Sequence, residues 1–187
     1  MLRHSRLLTL VLLFVAGAAL SLAAMSAIVA SAASGVDADA EAALKKLYAS
    51  VPAAKRIGGQ AKAVLVFPRI VKAGFLVGGQ YGDGALIKAG TIVGHYNSVA
   101  ASYGLQAGVQ SFGYALFLMN DKALAYLDQS DGWEIGVGPS IVIVDQGKAK
   151  TMTSTTLRDD VYAFIFSQKG LMAGLGIQGS KITKTSP

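Results

Sequence analysis

The chain of 187 residues contains no cysteine, which excludes disulfides, thiolate metal sites, a cysteine nucleophile and acylation at an N-terminal cysteine. Histidine is nearly as scarce. Beyond the first 33 residues only His95 remains, in "VGHYN", with no ligand or base partner at a diagnostic spacing. The carboxylates are scattered, and Asp159-Asp160, the one adjacent acidic pair, reads as a turn before a strand. Phosphate loop, nucleophile elbow and zinc-protease helix are all missing. "TMTSTT" (Thr151 to Thr156) offers hydroxyls with no base to activate them. "GLGIQG" (Gly174, Gly176, Gly179) matches the dinucleotide glycine pattern, but only eight residues follow, too few for the helix that would hold a pyrophosphate. These absences predict a chain that is not an enzyme and uses no metal or cofactor.

Charge is missing from the start of the chain. After Arg3 and Arg6, residues 7–33 carry none, and Ala30-Ser31-Ala32 offers the small-x-small pattern of a cleavage site. Residues 1–33 therefore read as a signal peptide or, since 27 uncharged residues can cross a bilayer, a retained N-terminal anchor. Either reading predicts an exported protein, periplasmic or envelope-associated. Residues 34–187 then form a single domain, large enough to bury its own core. Without the two leader arginines, 15 basic side chains face 11 acidic ones, a mild excess that suits an anionic surface without demanding one.

What is plentiful is glycine, 22 residues, often inside apolar alternation. Asp37 to Tyr48 predicts an amphipathic helix with Ala40, Ala43, Leu44, Leu47 and Tyr48 at helical spacing, limited by Pro52. After Ala61 the period falls to two. "VAASYGLQAGVQ", "WEIGVGPSIVIV" and "LMAGLGIQ" alternate apolar residues with glycine and polar ones, so each predicts a half-buried strand. "AVLVF", "YALFLM" and "VYAFIF" are apolar on both faces and predict central strands. "DKALAYLDQ" predicts a short helix capped by Asn120 or Asp121, and "GDG", "KAGT", "SDG" and "DQGK" mark turns. Glycines gathered on one strand face permit tight curvature. The expected fold is α+β: a strongly curled, mainly antiparallel, barrel-like sheet with an N-terminal helix and a short inserted helix.

Acid is also missing between Glu41 and Asp83, whereas Lys45, Lys46, Lys55, Arg56, Lys62, Arg69 and Lys72 all fall in that interval. This purely cationic run beside an amphipathic helix reads either as a lipid-headgroup face or as an ordinary solvated surface. A small outer-membrane barrel also has strands with one apolar face. Strands apolar on both faces, an internal helix and the ending "KITKTSP" argue against it.

Four ordered blocks, "AKAVLVFPRIVKAGFLVGGQYGDGAL", "YNSVAASYGLQAGVQSFGYALFLM", "SDGWEIGVGPSIVIVD" and "DVYAFIFSQKGLMAGLGIQGSKITK", resemble the SYLF domain, most of all its exported bacterial members. The resemblance covers about residues 40 to 184. It implies a non-catalytic lipid-binding module whose eukaryotic relatives bind phosphoinositides and, in some, actin filaments. An exported protein does not meet actin, so anionic phospholipid or a membrane surface is the expected partner, and nucleic acid is not. The family's basic N-terminal helical segment corresponds to about Asp37 to Arg56. The expected headgroup contacts are Lys45, Lys46, Lys55, Arg56, Arg69 and Lys72. A structural envelope protein that binds another protein or a glycan is the alternative.

Overall fold

The expected N-terminal helix forms, and a second follows it at once. The computed structural model describes residues 35–129, 132–144, 157–170 and 179–186. Helix α1 runs over residues 35–50 and buries Ala40, Leu44 and Leu47, one stripe at i, i+4 and i+7. Pro52 does more than end it. Proline lacks the N–H that a first helical turn leaves unpaired, and here it opens helix α2, Pro52–Gly58, which buries Ala53, Ala54 and Ile57.

Two very long strands follow, β1 (Ala63–Lys88) and β2 (Thr91–Leu118), paired antiparallel along their length. Ala89 and Gly90, at φ 50° and 80°, make the tight turn between them. Helix α3 (Asp121–Leu127) comes next, its N-terminus capped by Asn120 Oδ1 accepting from Ala123 N at 2.9 Å. Strands β3 (Trp133–Glu134), β4 (Ile141–Val144), β5 (Val161–Gly170) and β6 (Lys181–Ser186) complete the described sheet. β2 is its axis: one edge takes β1, the other takes β6 near His95–Val99 and β5 near Gln110–Leu118. All pairings are antiparallel except β4 with β5. The sheet curls into a half-barrel, as expected of an α+β fold built this way.

Each face carries its own core. The concave face gathers Leu65, Phe67, Ile70, Leu86, Tyr96, Phe112, Tyr114 and Leu116, closed by Leu127 of α3, Trp133 and Ile182. The other face packs Val64, Val66, Ala85, Phe117, Tyr162 and Phe164 under α1 and α2. That explains "AVLVF", "YALFLM" and "VYAFIF": their strands are covered on both sides.

Glycine makes the curl possible. "GDG" is not a turn but lies within β1, where Gly82 and Gly84 face the first half of the same strand. A Cβ at Gly84 would sit 2.5 Å from the Val66 carbonyl oxygen and 2.6 Å from the Phe67 ring. At Gly82 it would sit 2.5 Å from both the Arg69 carbonyl oxygen and Ile70 Cδ1. Only hydrogen at those positions lets one half of the strand press against the other.

Two other expectations change. "WEIGVGPSIVIV" is not one strand, since Gly136 and Gly138 at φ 108° and 90° turn the chain between β3 and β4. In "VAASYGLQAGVQ" the side chains described run against the expected sense: Val99 and Val109 are 45% and 63% exposed, while Gln110 is buried. "LMAGLGIQ", "TMTSTT" and "DQGK" lie outside the described residues, as do Ser130 and Asp131 of "SDG".

Candidate functional site

The junction of α1, α2 and the β1–β2 turn forms an open groove of about 540 Å³. α1 contributes Glu41, Leu44, Lys45, Tyr48 and Ala49; α2 contributes Lys55; the hairpin contributes Ile87 and Gly90. The local sequence dictates this placement. Burying Leu44 and Leu47 turns Lys45 to the side of α1 and leaves it exposed. The Pro52 start sets α2 so that Ala53, Ala54 and Ile57 go down and Lys55 and Arg56 stay up. The floor is apolar, from Leu44 and Ile87, and Tyr48 forms a wall with its ring 6.2 Å from that of Phe117. Burial pushes the Tyr48 phenol up, so it stays protonated and polar without charge.

Two cations over an aliphatic floor, with one carboxylate at the edge, can hold an anionic group that carries an apolar tail. The ammonium groups supply attraction, and the floor takes partly dehydrated carbon. Neither a nucleophile with its base nor a set of metal ligands lines this groove.

Only part of the expected cation set meets there. Lys45 and Lys55 line the groove; Lys46 and Arg56 are exposed on the same two helices as immediate neighbours. Arg69 is exposed on β1 and does not line it. Lys72 lies on β1 opposite Gln110, and both face inward, at 9% and 5% exposure. The ion pairs among the described residues use Lys62, His95, Lys122 and Lys184, and none takes Lys45, Lys46, Lys55, Arg69 or Lys72.

Sequence reasoning missed Ile87, Gly90 and Glu41, because nothing local shows that the hairpin turn returns beneath α1. It also missed the partner of His95, whose Nε2 lies 2.7 Å from Asp37 Oδ1 and fastens the first turn of α1 to β2. The pair is 58 residues apart in the chain, beyond any motif. Asp159-Asp160 does form a bend before β5, and Asp160 is also a structural hub. It accepts from Asn120 Nδ2 at 2.7 Å, Ser140 N at 2.9 Å and Lys122 Nζ at 3.2 Å. Those bonds, that from Asn120 foremost, hold its pKa down to about 2.

Comparison with known proteins covers the later part of the chain and none of the groove residues. No curated protein matches the chain. Residues 99–186, from β2 to β6, match the model of the family described as Ysc84, "Las17-binding protein actin regulator". That family is a binding module and not a known catalytic one. Its eukaryotic members bind actin and lipids. Over residues 99–186 the chain is therefore similar to the Ysc84/SYLF domain family.

Proposed function

We propose that the protein associates reversibly with anionic lipid of the bacterial cell envelope and catalyses no reaction. The observation that carries this reading is the convergence of Lys45 and Lys55, from two helices, over the Leu44–Ile87 floor, with neither cation in a described ion pair. Lys46 and Arg56 extend the cationic face on either side. Export through residues 1–33 would deliver the domain to that compartment. Among the described residues no helix is long and apolar enough to cross a membrane.

Each cation near an anionic surface contributes about 1 kcal/mol. Removing Lys45 and Lys55 as glutamines should therefore weaken partitioning onto phosphatidylglycerol vesicles by roughly 30-fold, since 1.4 kcal/mol is tenfold. Co-sedimentation measures this. Binding should fall as salt rises and be weak on neutral phosphatidylcholine. Equal binding to both vesicle types, or none to either, refutes the proposal and favours a protein or glycan partner.

A further inference from the structure

Six large apolar side chains are displayed around the bend where β1 and β2 fold over: Val71, Leu76, Val77, Tyr81, Val99 and Val109, at 39–63% exposure. Register places Tyr81 opposite Val99 and Ala73 opposite Val109, on the face whose reverse carries Lys72, Gln80, Ser98 and Gln110, and Leu76 falls in the register shift between Phe75 and Val77. Leu76 stands at the apex with φ 63°, a left-handed conformation that costs a branched side chain energy and that glycine would relieve. The residue that stands there is apolar nonetheless. This end of the hairpin lies roughly 35 Å of strand from Ile87 and the groove.

We infer that this bend is a second membrane contact, which inserts aliphatic side chains into the interfacial region of a bilayer. The inference rests on the lipid-binding reading above, but on a different surface. Three features favour lipid over a protein partner. The apex of the patch is Leu and Val, types under-represented among the residues that dominate protein interfaces. Main-chain pairing continues up to the bend on both sides, Val71–Gly74 with Gly108–Ser111 and Val77–Tyr81 with Val99–Tyr103, so little unpaired backbone enters the apolar layer. The rim is polar and amphipathic. Arg69 is exposed below the patch, Lys169 lies opposite Ser111, and Lys181 lies opposite Val99. Long cationic stems reach from such positions to phosphates while their carbons stay on apolar ground. Nearby carboxylates among the described residues are Asp83, which accepts from the Tyr81 hydroxyl at 2.6 Å, and Glu134, opposite Lys181. Tyr81 thus has an apolar ring and a satisfied polar tip, the form favoured at a membrane–water boundary.

The test uses V77W to report depth and a L76D/V77D/V109D triple variant to abolish insertion. The parent's one tryptophan, Trp133, is buried in the concave core, so its emission serves as the baseline to subtract. On phosphatidylglycerol vesicles, the additional indole emission of V77W should shift to the blue and be quenched by brominated acyl chains. Binding that survives 0.5 M salt should fall at least tenfold in the triple variant, with its circular dichroism unchanged. Vesicle binding that persists with no quenching and no loss in the triple variant overturns this inference and leaves the groove reading standing. Absence of vesicle binding by any form overturns both. Concentration-dependent self-association in vesicle-free buffer, lost in the triple variant, also overturns it by giving the patch to a second copy of the chain.

Discussion

Gly84→Ala isolates the contact on which the curl depends. The substitution adds one methyl group, and its carbon would lie 2.5 Å from the carbonyl oxygen of Val66 and 2.6 Å from Phe67 Cδ1. Ordinary contact begins near 3.4 Å, so about 0.9 Å of relief is needed. Val66 cannot supply it cheaply, because it is fully buried and held in register with Ala115. Phe67 is equally buried, with its ring 4.7 Å from that of Tyr114. Overpacking of this kind costs about 1–3 kcal/mol, and the better strand propensity of alanine returns only a few tenths. For a domain of this size the loss corresponds to roughly 3–10 °C in Tm. Gly90→Ala is the matched control: its φ is 80° but nothing lies within 4 Å of the added atom, so only a backbone cost of about 1 kcal/mol is expected. Urea unfolding of both variants gives the comparison. If Gly84→Ala matches the parent within about 0.5 kcal/mol while Gly90→Ala is destabilised, close packing of the two halves of β1 is not what requires glycine there.

Three further outcomes follow from the hydrogen-bond pattern. Asp160 has a folded pKa of about 2, below its ordinary 3.8, so its stabilisation is complete above pH 4 and is lost as pH falls toward 2. Asp160→Asn should cost about 1–2 kcal/mol at pH 7, and the gap from the parent should narrow as pH falls from 4 to 2 and close only below 2; an unchanged gap at pH 2 contradicts the assignment. Tyr114 is fully buried, its phenol pushed well above the usual range by burial, and it donates to Ser98 Oγ at 2.6 Å. Tyr114→Phe should cost about 1–2 kcal/mol, and Ser98→Ala added to it should cost much less than alone, a coupling that a double-mutant cycle reads directly. Asp37→Asn weakens the link to His95 and should speed hydrogen exchange in residues 35–50 more than in β2; uniform exchange across both would show that the pair does not anchor α1.

Local chemistry was enough to place much of the fold. The Leu44–Leu47 stripe, the Asn120 cap and the doubly apolar strands each carry a signal within a few residues, because helix period, side-chain capping and burial on both faces are local consequences of residue type. Pro52 was read as a stop and proved also to be a start, since proline suits the first turn of a helix as well as the residue after one. The candidate site was half legible. The acid-free run contained Lys45, Lys46, Lys55 and Arg56, but it could not show that Lys72, 16 residues beyond Arg56, turns into the half-barrel.

The sequence by itself determined composition, period and charge: a cysteine-free, acid-poor start, helices at one end, and strands that alternate. Tertiary structure alone decided sense and convergence. Alternation says that two faces differ, not which one meets water, and here bending turned Val99 and Val109 outward while Gln110 went in. Likewise Lys55 lines one groove with Lys45 and Ile87, and His95 meets Asp37, because a hairpin of two strands 26 and 28 residues long returns its turn beneath α1. Contacts across such separations depend on the path of the backbone through space, which no short window of residues encodes.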